Sequence, residues 1–151
     1  MGFKGVYNNS IDLKGRASIP ARFREQLKEL FDDEALVVTQ DRGGIVAYPV
    51  SEWAKILANF EALEHNQFRE DLYFTMITPA VECSFDKQGR IQLPQGLREY
   101  CQLDIDGMRD VVVVGGAHKI QIWNKNKYTE MMAAAEARKV DQRQKLFDLG
   151  L

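Results

Sequence analysis

Within 151 residues the chain states one pattern twice. Asp12-Leu13-Lys14-Gly15-Arg16-Ala17-Ser18-Ile19-Pro20, followed by Phe23, Arg24 and Glu25, returns 74 residues later. The second copy is Asp86-Lys87-Gln88-Gly89-Arg90-Ile91-Gln92-Leu93-Pro94, followed by Leu97, Arg98 and Glu99. Asp, Gly, Arg, Pro, Arg and Glu hold the same places in both copies, and apolar residues match between them. An internal repeat constrains architecture before any local propensity does. It calls for two related halves, each presenting one turn that holds an arginine.

The remainder of each half agrees. Val37-Val38 leads through Gly43-Gly44 to Ile45-Val46-Ala47-Tyr48 and then Trp53. Val113-Val114 leads through Gly115-Gly116 to Ile120-Gln121-Ile122-Trp123 and then Tyr128, and from Ile120 onward the offset is 75. One residue has been inserted between the two anchor points. The halves divide as 1–75 and 76–151, the second carrying a C-terminal helix and tail.

Each half reads as strand, turn, strand, helix, hairpin, helix. Asp12 to Gly15 has turn chemistry: Asp bonds to the backbone ahead of it and Gly adopts positive φ without strain. The flanking segments, Gly5 to Ile11 and Arg16 to Ile19, are expected to pair as a hairpin. Pro20 suits a helix start, and Phe23, Leu27 and Leu30 share one face of a helix to about Leu30. Ser51 is the expected cap of a helix whose apolar stripe is Trp53, Ile56, Leu57, Phe60 and Leu63. A second helical piece spans Gln67 to Ile77 and stops at Pro79. The second half repeats the order, with helices from Pro94 to Cys101 and Lys127 to Arg138. The stretch from Val140 to Leu151 either docks on a neighbour or frays. A half of this size buries a small core and leaves sheet edges open. The expected fold is therefore β-rich α+β, two tandem pseudo-symmetric hairpin/helix repeats that share strands across the middle.

Composition narrows the function. At 45% hydrophobic and 28% charged residues the chain is of ordinary soluble globular type. No apolar run approaches the roughly 20 residues of a membrane span. The N-terminus lacks the apolar stretch of a secretory signal, and Val6 stands where a myristoylation pattern needs Ser or Thr. Cys83 and Cys101 make neither a disulfide framework nor a zinc site and read as buried, reduced thiols. His65 and His118 fit no ligand or triad pattern, and no P-loop, H-E-x-x-H or G-x-S-x-G occurs. No catalytic residue, cofactor or metal is expected.

The net charge of −2 would discourage a nucleic-acid partner, but the charges are segregated. Residues 1–28 hold six basic and two acidic groups, a net of +4; residues 29–82 hold three and eleven, a net of −8; residues 83–151 hold eleven and nine, a net of +2. The Gly-Arg segments are the basic parts, and local field governs attraction of a polyanion.

Arg16 and Arg90 follow a glycine at a turn, where a planar guanidinium can grip phosphate or read a guanine edge. Lys14 suits a phosphate as a point charge, and Gly15 and Gly89 let backbone N–H groups come close. Asp12 and Asp86 would repel DNA and are expected to cap the turn or orient the arginine. Two readings stand side by side: DNA-binding loops, or internal Asp–Arg ion pairs that brace a duplicated turn in a protein-interaction module. Arg24-Glu25 and Arg98-Glu99 on the following helices read as solvated or inter-subunit salt bridges.

Asp-x-Lys-Gly-Arg followed by Ile-Pro-x-Arg-x-Arg-Glu, repeated as Asp-x-x-Gly-Arg-x-x-Leu-Pro, resembles the MraZ family of bacterial transcriptional regulators over nearly the whole chain. The resemblance implies tandem AbrB-like swapped-hairpin units around a barrel-like core and assembly into a homo-oligomeric ring. It also implies a cytoplasmic, nucleoid-associated protein. The implied partner is double-stranded DNA, bound at short direct repeats in the promoter of the division and cell-wall gene cluster. By position the DNA-binding residues are Lys14, Gly15 and Arg16 in the first loop, and Lys87, Gly89 and Arg90 in the second. The second loop departs from the first in holding Gln88 opposite Lys14, with its lysine one place earlier.

Overall fold

A computed structural model describes residues 2–151. The first half runs β1 (Val6–Ser10), β2 (Arg16–Ser18), α1 (Ala21–Phe31), β3 (Ala35–Asp41), β4 (Gly44–Pro49), α2 (Val50–Glu61) and α3 (Gln67–Leu72). A π-helical turn, Tyr73–Ile77, follows. The second half repeats the series as β5 (Val81–Ser84), β6 (Arg90–Gln92), α4 (Gln95–Tyr100), β7 (Asp110–Gly115), β8 (Ile120–Asn124), α5 (Lys125–Val140) and α6 (Arg143–Asp148).

The strands do not stay with their own half. The main sheet has the order β1-β7-β8-β4-β3-β5, so β1 lies on β7 of the second half and β5 lies on β3 of the first. β4 and β8 pair at the centre, with Val46 opposite Gln121, residues that correspond at the offset of 75. A separate two-stranded ribbon pairs β2 with β6, with Ala17 opposite Ile91, which correspond at the offset of 74. A pseudo-twofold axis therefore passes through both pairs. The halves share strands, as the repeat requires.

The expected hairpin between the first two strands is only partly present. The turn closes through Asp12 N–H to Arg16 O at 3.0 Å and a single bridge, Ile11 to Ala17. Beyond it the arms part, because β1 finds five partners on β7 and β2 finds three on β6. The glycine-turn hairpins, β3–β4 and β7–β8, form as the sequence indicates.

The core lies beneath the ribbon and one face of the sheet. Ala17, Phe23, Leu36, Ile45, Ile91, Leu93, Ile120 and Ile122 are fully buried in one cluster drawn from both halves. Phe3 packs against Phe23 and Phe31, and Tyr7 meets Phe23 edge-on. Leu30 is not part of this face and stays exposed; α1 ends one residue later at Phe31, and Asp32 after it turns into the left-handed region at φ 53°.

Ser51 sits inside α2 rather than at its cap. Its backbone N–H and its hydroxyl both donate to the Asp33 carboxylate, at 3.1 and 2.7 Å. An acidic group from the α1–β3 connection thus satisfies the helix N-terminus, where negative charge is favoured. Of the α2 stripe, Trp53 and Phe60 are buried, while Ile56, Leu57 and Leu63 are half-buried. Burial pushes the Cys83 and Cys101 thiols up to about 11, so both are buried and poorly ionised. No helix among the described residues is long and apolar enough to cross a membrane.

The exchange of β1 and β5 makes each half dependent on the other. Fragments 1–75 and 76–151 should each be unfolded alone, with solvent-like emission from their single tryptophans. Mixing them should restore the blue-shifted emission of buried Trp53 and Trp123. A cooperative unfolding transition in either fragment alone would contradict this.

Candidate nucleic-acid interface

The two Gly-Arg turns are built alike. In each, the aspartate accepts backbone N–H groups two and four residues ahead: Asp12 Oδ1 from Lys14 at 3.0 Å and Arg16 at 2.8 Å, Asp86 Oδ1 from Gln88 and Arg90 at 2.9 Å. The other carboxylate oxygen takes the arginine Nε, at 2.5 Å for Arg16 and 2.8 Å for Arg90. The aspartate side chain thereby stands in for a strand partner and aligns the guanidinium in one stroke. Gly15 and Gly89 occupy φ 78° and 76°, a region other residues enter at a cost.

Each turn is bolted to the opposite half. Leu93 N–H donates to Gly15 O and Ile19 N–H donates to Gly89 O, both at 3.1 Å. The Arg98 guanidinium lies against Gly15, and that of Arg24 against Gly89, so closely that a methyl group at either glycine would collide with it. Arg24 and Arg98 do not pair with the adjacent glutamates. Arg24 donates through Nε to Ile19 O at 3.1 Å, and Arg98 donates to Asp104 at 2.6 Å while its own Nε is buried without a partner. Both arginines are committed as floors under the facing loop. The sequence signal for this was their occurrence at equivalent places in both copies. What it lacked was the knowledge that each would reach the other copy's glycine.

The result is one surface. Pairing of β2 with β6 sets Ser18 opposite Arg90 and Arg16 opposite Gln92. Ala17 and Ile91 point inward and are fully buried, so their neighbours point out. Lys14, Lys87, Ser18 and Gln92 are exposed there, and Arg16 and Arg90 are half-buried by their aspartates. Lys14, Gly15, Arg16, Lys87, Gly89 and Arg90 all belong to this single ribbon and its two loops. Ser18 and Gln92 share it and were not singled out from sequence; their signal was the alternation that starts at each arginine. A two-stranded antiparallel ribbon has the width to enter a DNA major groove.

The two ends differ. Arg90 reaches beyond Asp86 to Asp12 Oδ2 at 3.3 Å, whereas the bond to Asp12 engages only Nε of Arg16. Among the described residues, no protein acceptor takes the outer nitrogens of Arg16. Gln92 donates to Lys14 O at 2.7 Å and so braces the first loop. Among the described residues no group of three His, Cys, Asp or Glu is placed to hold a metal.

The arginine backbone N–H holds each of the Asp12 and Asp86 carboxyls below its ordinary value, aided by the guanidinium and the second backbone N–H. Stability from a lowered carboxylate is complete above the unfolded value, near pH 4, and is lost as pH falls through the folded value. The Asp12→Asn plus Asp86→Asn variant should thus melt below wild type at pH 7. The gap should narrow as pH falls below about 4 and close only below the lowered folded value, where the wild-type carboxyls are themselves neutral. Thermal melts across pH 2.5 to 7 read this directly. In a separate urea titration, Gly15→Ala and Gly89→Ala should each cost roughly 1–2 kcal/mol, the cost of a left-handed alanine.

A family model described as "MraZ protein, putative antitoxin-like" matches residues 3–73 and again 76–149. The chain is 53% identical over 150 residues to the transcriptional regulator MraZ of Syntrophotalea carbinolica, covering 99% of each chain. It is 36% identical over 151 residues to the transcriptional regulator MraZ of Pediococcus pentosaceus, again covering 99% of each. To that of Geobacter metallireducens it is 37% identical over 144 residues, covering 87% of this chain and 88% of the relative.

Proposed function

The chain belongs to the MraZ family, and from that premise we propose that it regulates transcription by binding double-stranded DNA through the β2–β6 ribbon and its two loops. The observation that supports this is the convergence of both Gly-Arg turns on one rigid ribbon, braced from beneath by Arg24 and Arg98. The two AbrB-like units, 1–75 and 76–151, supply one loop each. Asp12 and Asp86 act by orienting, since a carboxylate gains nothing from a phosphate. Lys14 and Arg16 make the stronger contact, because Arg90 is shared between two aspartates. Lys87 and Arg90 add phosphate contacts from the second loop.

One such ribbon gives few phosphate contacts and modest affinity. Presenting several copies on a ring multiplies effective concentration without new contacts. The targets are then direct repeats about 10 bp apart, so that each box faces the protein. They lie in the promoter of the division and cell-wall cluster, which places the protein in the cytoplasm on the nucleoid. The acidic segment 29–82 limits nonspecific binding. This role asks for no catalytic group or cofactor.

The test is a salt titration on that promoter's tandem repeats against a scrambled duplex. Wild type should prefer the repeats and weaken steeply with salt, and Arg16→Ala should reduce the slope by about 1 per binding loop. Arg16→Ala plus Arg90→Ala should abolish binding and leave the oligomeric mass unchanged. Unaltered binding in the double variant would refute the loop assignment; no preference for the repeats, with variant and wild type alike, would leave the ion pairs as turn braces and make the chain a protein-interaction module.

A further inference from the structure

The two Gly-Arg turns share a backbone but not a tip. In each, the glycine N–H closes the turn on the aspartate carbonyl, Gly15 on Asp12 and Gly89 on Asp86, both at 3.0 Å. The residue after the aspartate therefore stands at the outer corner of the turn. It is Leu13 in the first loop and Lys87 in the second, 74 positions apart. Leu13 is 83% exposed, the highest value for a large apolar side chain among the described residues. The fold does not ask for leucine there, because Lys87 holds the same corner on the same pattern of hydrogen bonds.

Nor is the loop free to fold its leucine away. Gln92 donates to Lys14 O at 2.7 Å, Leu93 N–H donates to Gly15 O at 3.1 Å, and the Arg98 guanidinium lies against Gly15. The Asp12 carboxylate holds the backbone N–H groups of Lys14 and Arg16. A single exposed leucine is ordinary on a protein surface. This one is fixed at the tip of a braced loop, beside Lys14, on the ribbon that the reading above turns toward DNA. An apolar group held in water gains when a partner covers it, and a braced loop loses little freedom in the contact.

The chemistry of the facing surface selects what covers it. The major groove offers hydrogen-bond donors and acceptors and one apolar group, the C5 methyl of thymine. Lys14 and Arg16 answer the phosphates and the polar base edges. Leu13 answers the methyl. In the second loop the same corner carries the Lys87 ammonium, which suits phosphate and gains nothing from a methyl. We propose that Leu13 packs on the C5 methyl of a thymine in the major groove, so that the first loop, alone of the two, selects for thymine. This rests on the DNA-binding reading above and adds a specificity-determining residue to it.

The test uses the full chain and two versions of the tandem-repeat promoter duplex, one with thymine and one with deoxyuridine at every thymine position. The exchange removes the methyl groups and leaves the hydrogen-bonding edges in place. Wild type should bind the deoxyuridine duplex about fourfold more weakly for each first loop engaged, the effect of uncovering one methyl-sized group. Leu13→Ala should bind the two duplexes equally. It should keep the wild-type thermal melt and the wild-type salt slope, because an apolar contact releases no counterions. Leu13→Lys, which copies the second loop, should also bind the two equally, with a steeper salt dependence. Equal binding of both duplexes by wild type, or an undiminished preference for thymine in Leu13→Ala, would overturn the methyl contact. So would an equal loss on both duplexes in Leu13→Ala, which is the mark of an apolar wedge between base steps. In all three cases the Arg16→Ala titration would still judge the loops. A wild type that does not distinguish the repeats from a scrambled duplex would overturn both readings.

Discussion

The pairing of β2 with β6 is the contact on which the rest of the molecule depends. It involves three residues from each half, yet it buries Ala17 and Ile91 back to back over the shared core. It also fixes the distance between the two loops and places each glycine over the other half's arginine. Without it, Gly15 and Gly89 would end two unrelated turns, and Arg24 and Arg98 would be ordinary helix-surface cations. The exchange of β1 and β5 in the main sheet reinforces the same relation from the opposite side. Strand exchange of this kind removes an edge from each half and converts two marginal cores into one.

Electrostatics inside the ribbon work by commitment rather than by abundance. Each arginine donates Nε to its own aspartate and is thereby held in one rotamer family, which reduces the entropy lost when its outer nitrogens meet a partner. Half-buried ion pairs of this kind, still open to solvent on one side, contribute little to stability by themselves. In the role proposed above, their value lies in aiming a charge. The acidic stretch between the loops keeps the whole chain near neutrality while leaving the ribbon basic.

Much of this was legible in the sequence, and what was not has a common cause. The duplication announced the two halves, the glycine pairs announced β3–β4 and β7–β8, and Asp12 and Asp86 announced their turns, because each is a local signal. Periodicity tells which face of a strand is covered but not by which strand. Hence β1 and β2 looked like a hairpin, whereas their ladders run to β7 and β6. Ser51 looked like a cap because it precedes an apolar stripe; the carboxylate that serves the helix comes from Asp33, eighteen residues earlier. Arg24 and Arg98 were misread because their partners are backbone groups, glycines and Asp104, which no charge pattern along a helix reveals.

Two copies of a half, joined in one chain, are free to diverge in a way that two identical subunits are not. A symmetric dimer must present the same chemistry at both ends of its ribbon. Here one end offers Lys14 and Gln92 beside Arg16, and the other offers Gln88 and Ser18 beside Arg90. The ribbon therefore has a direction, like an arrow rather than a bar. In the DNA-binding role proposed above, a surface with direction would not treat a sequence and its reverse complement as equals.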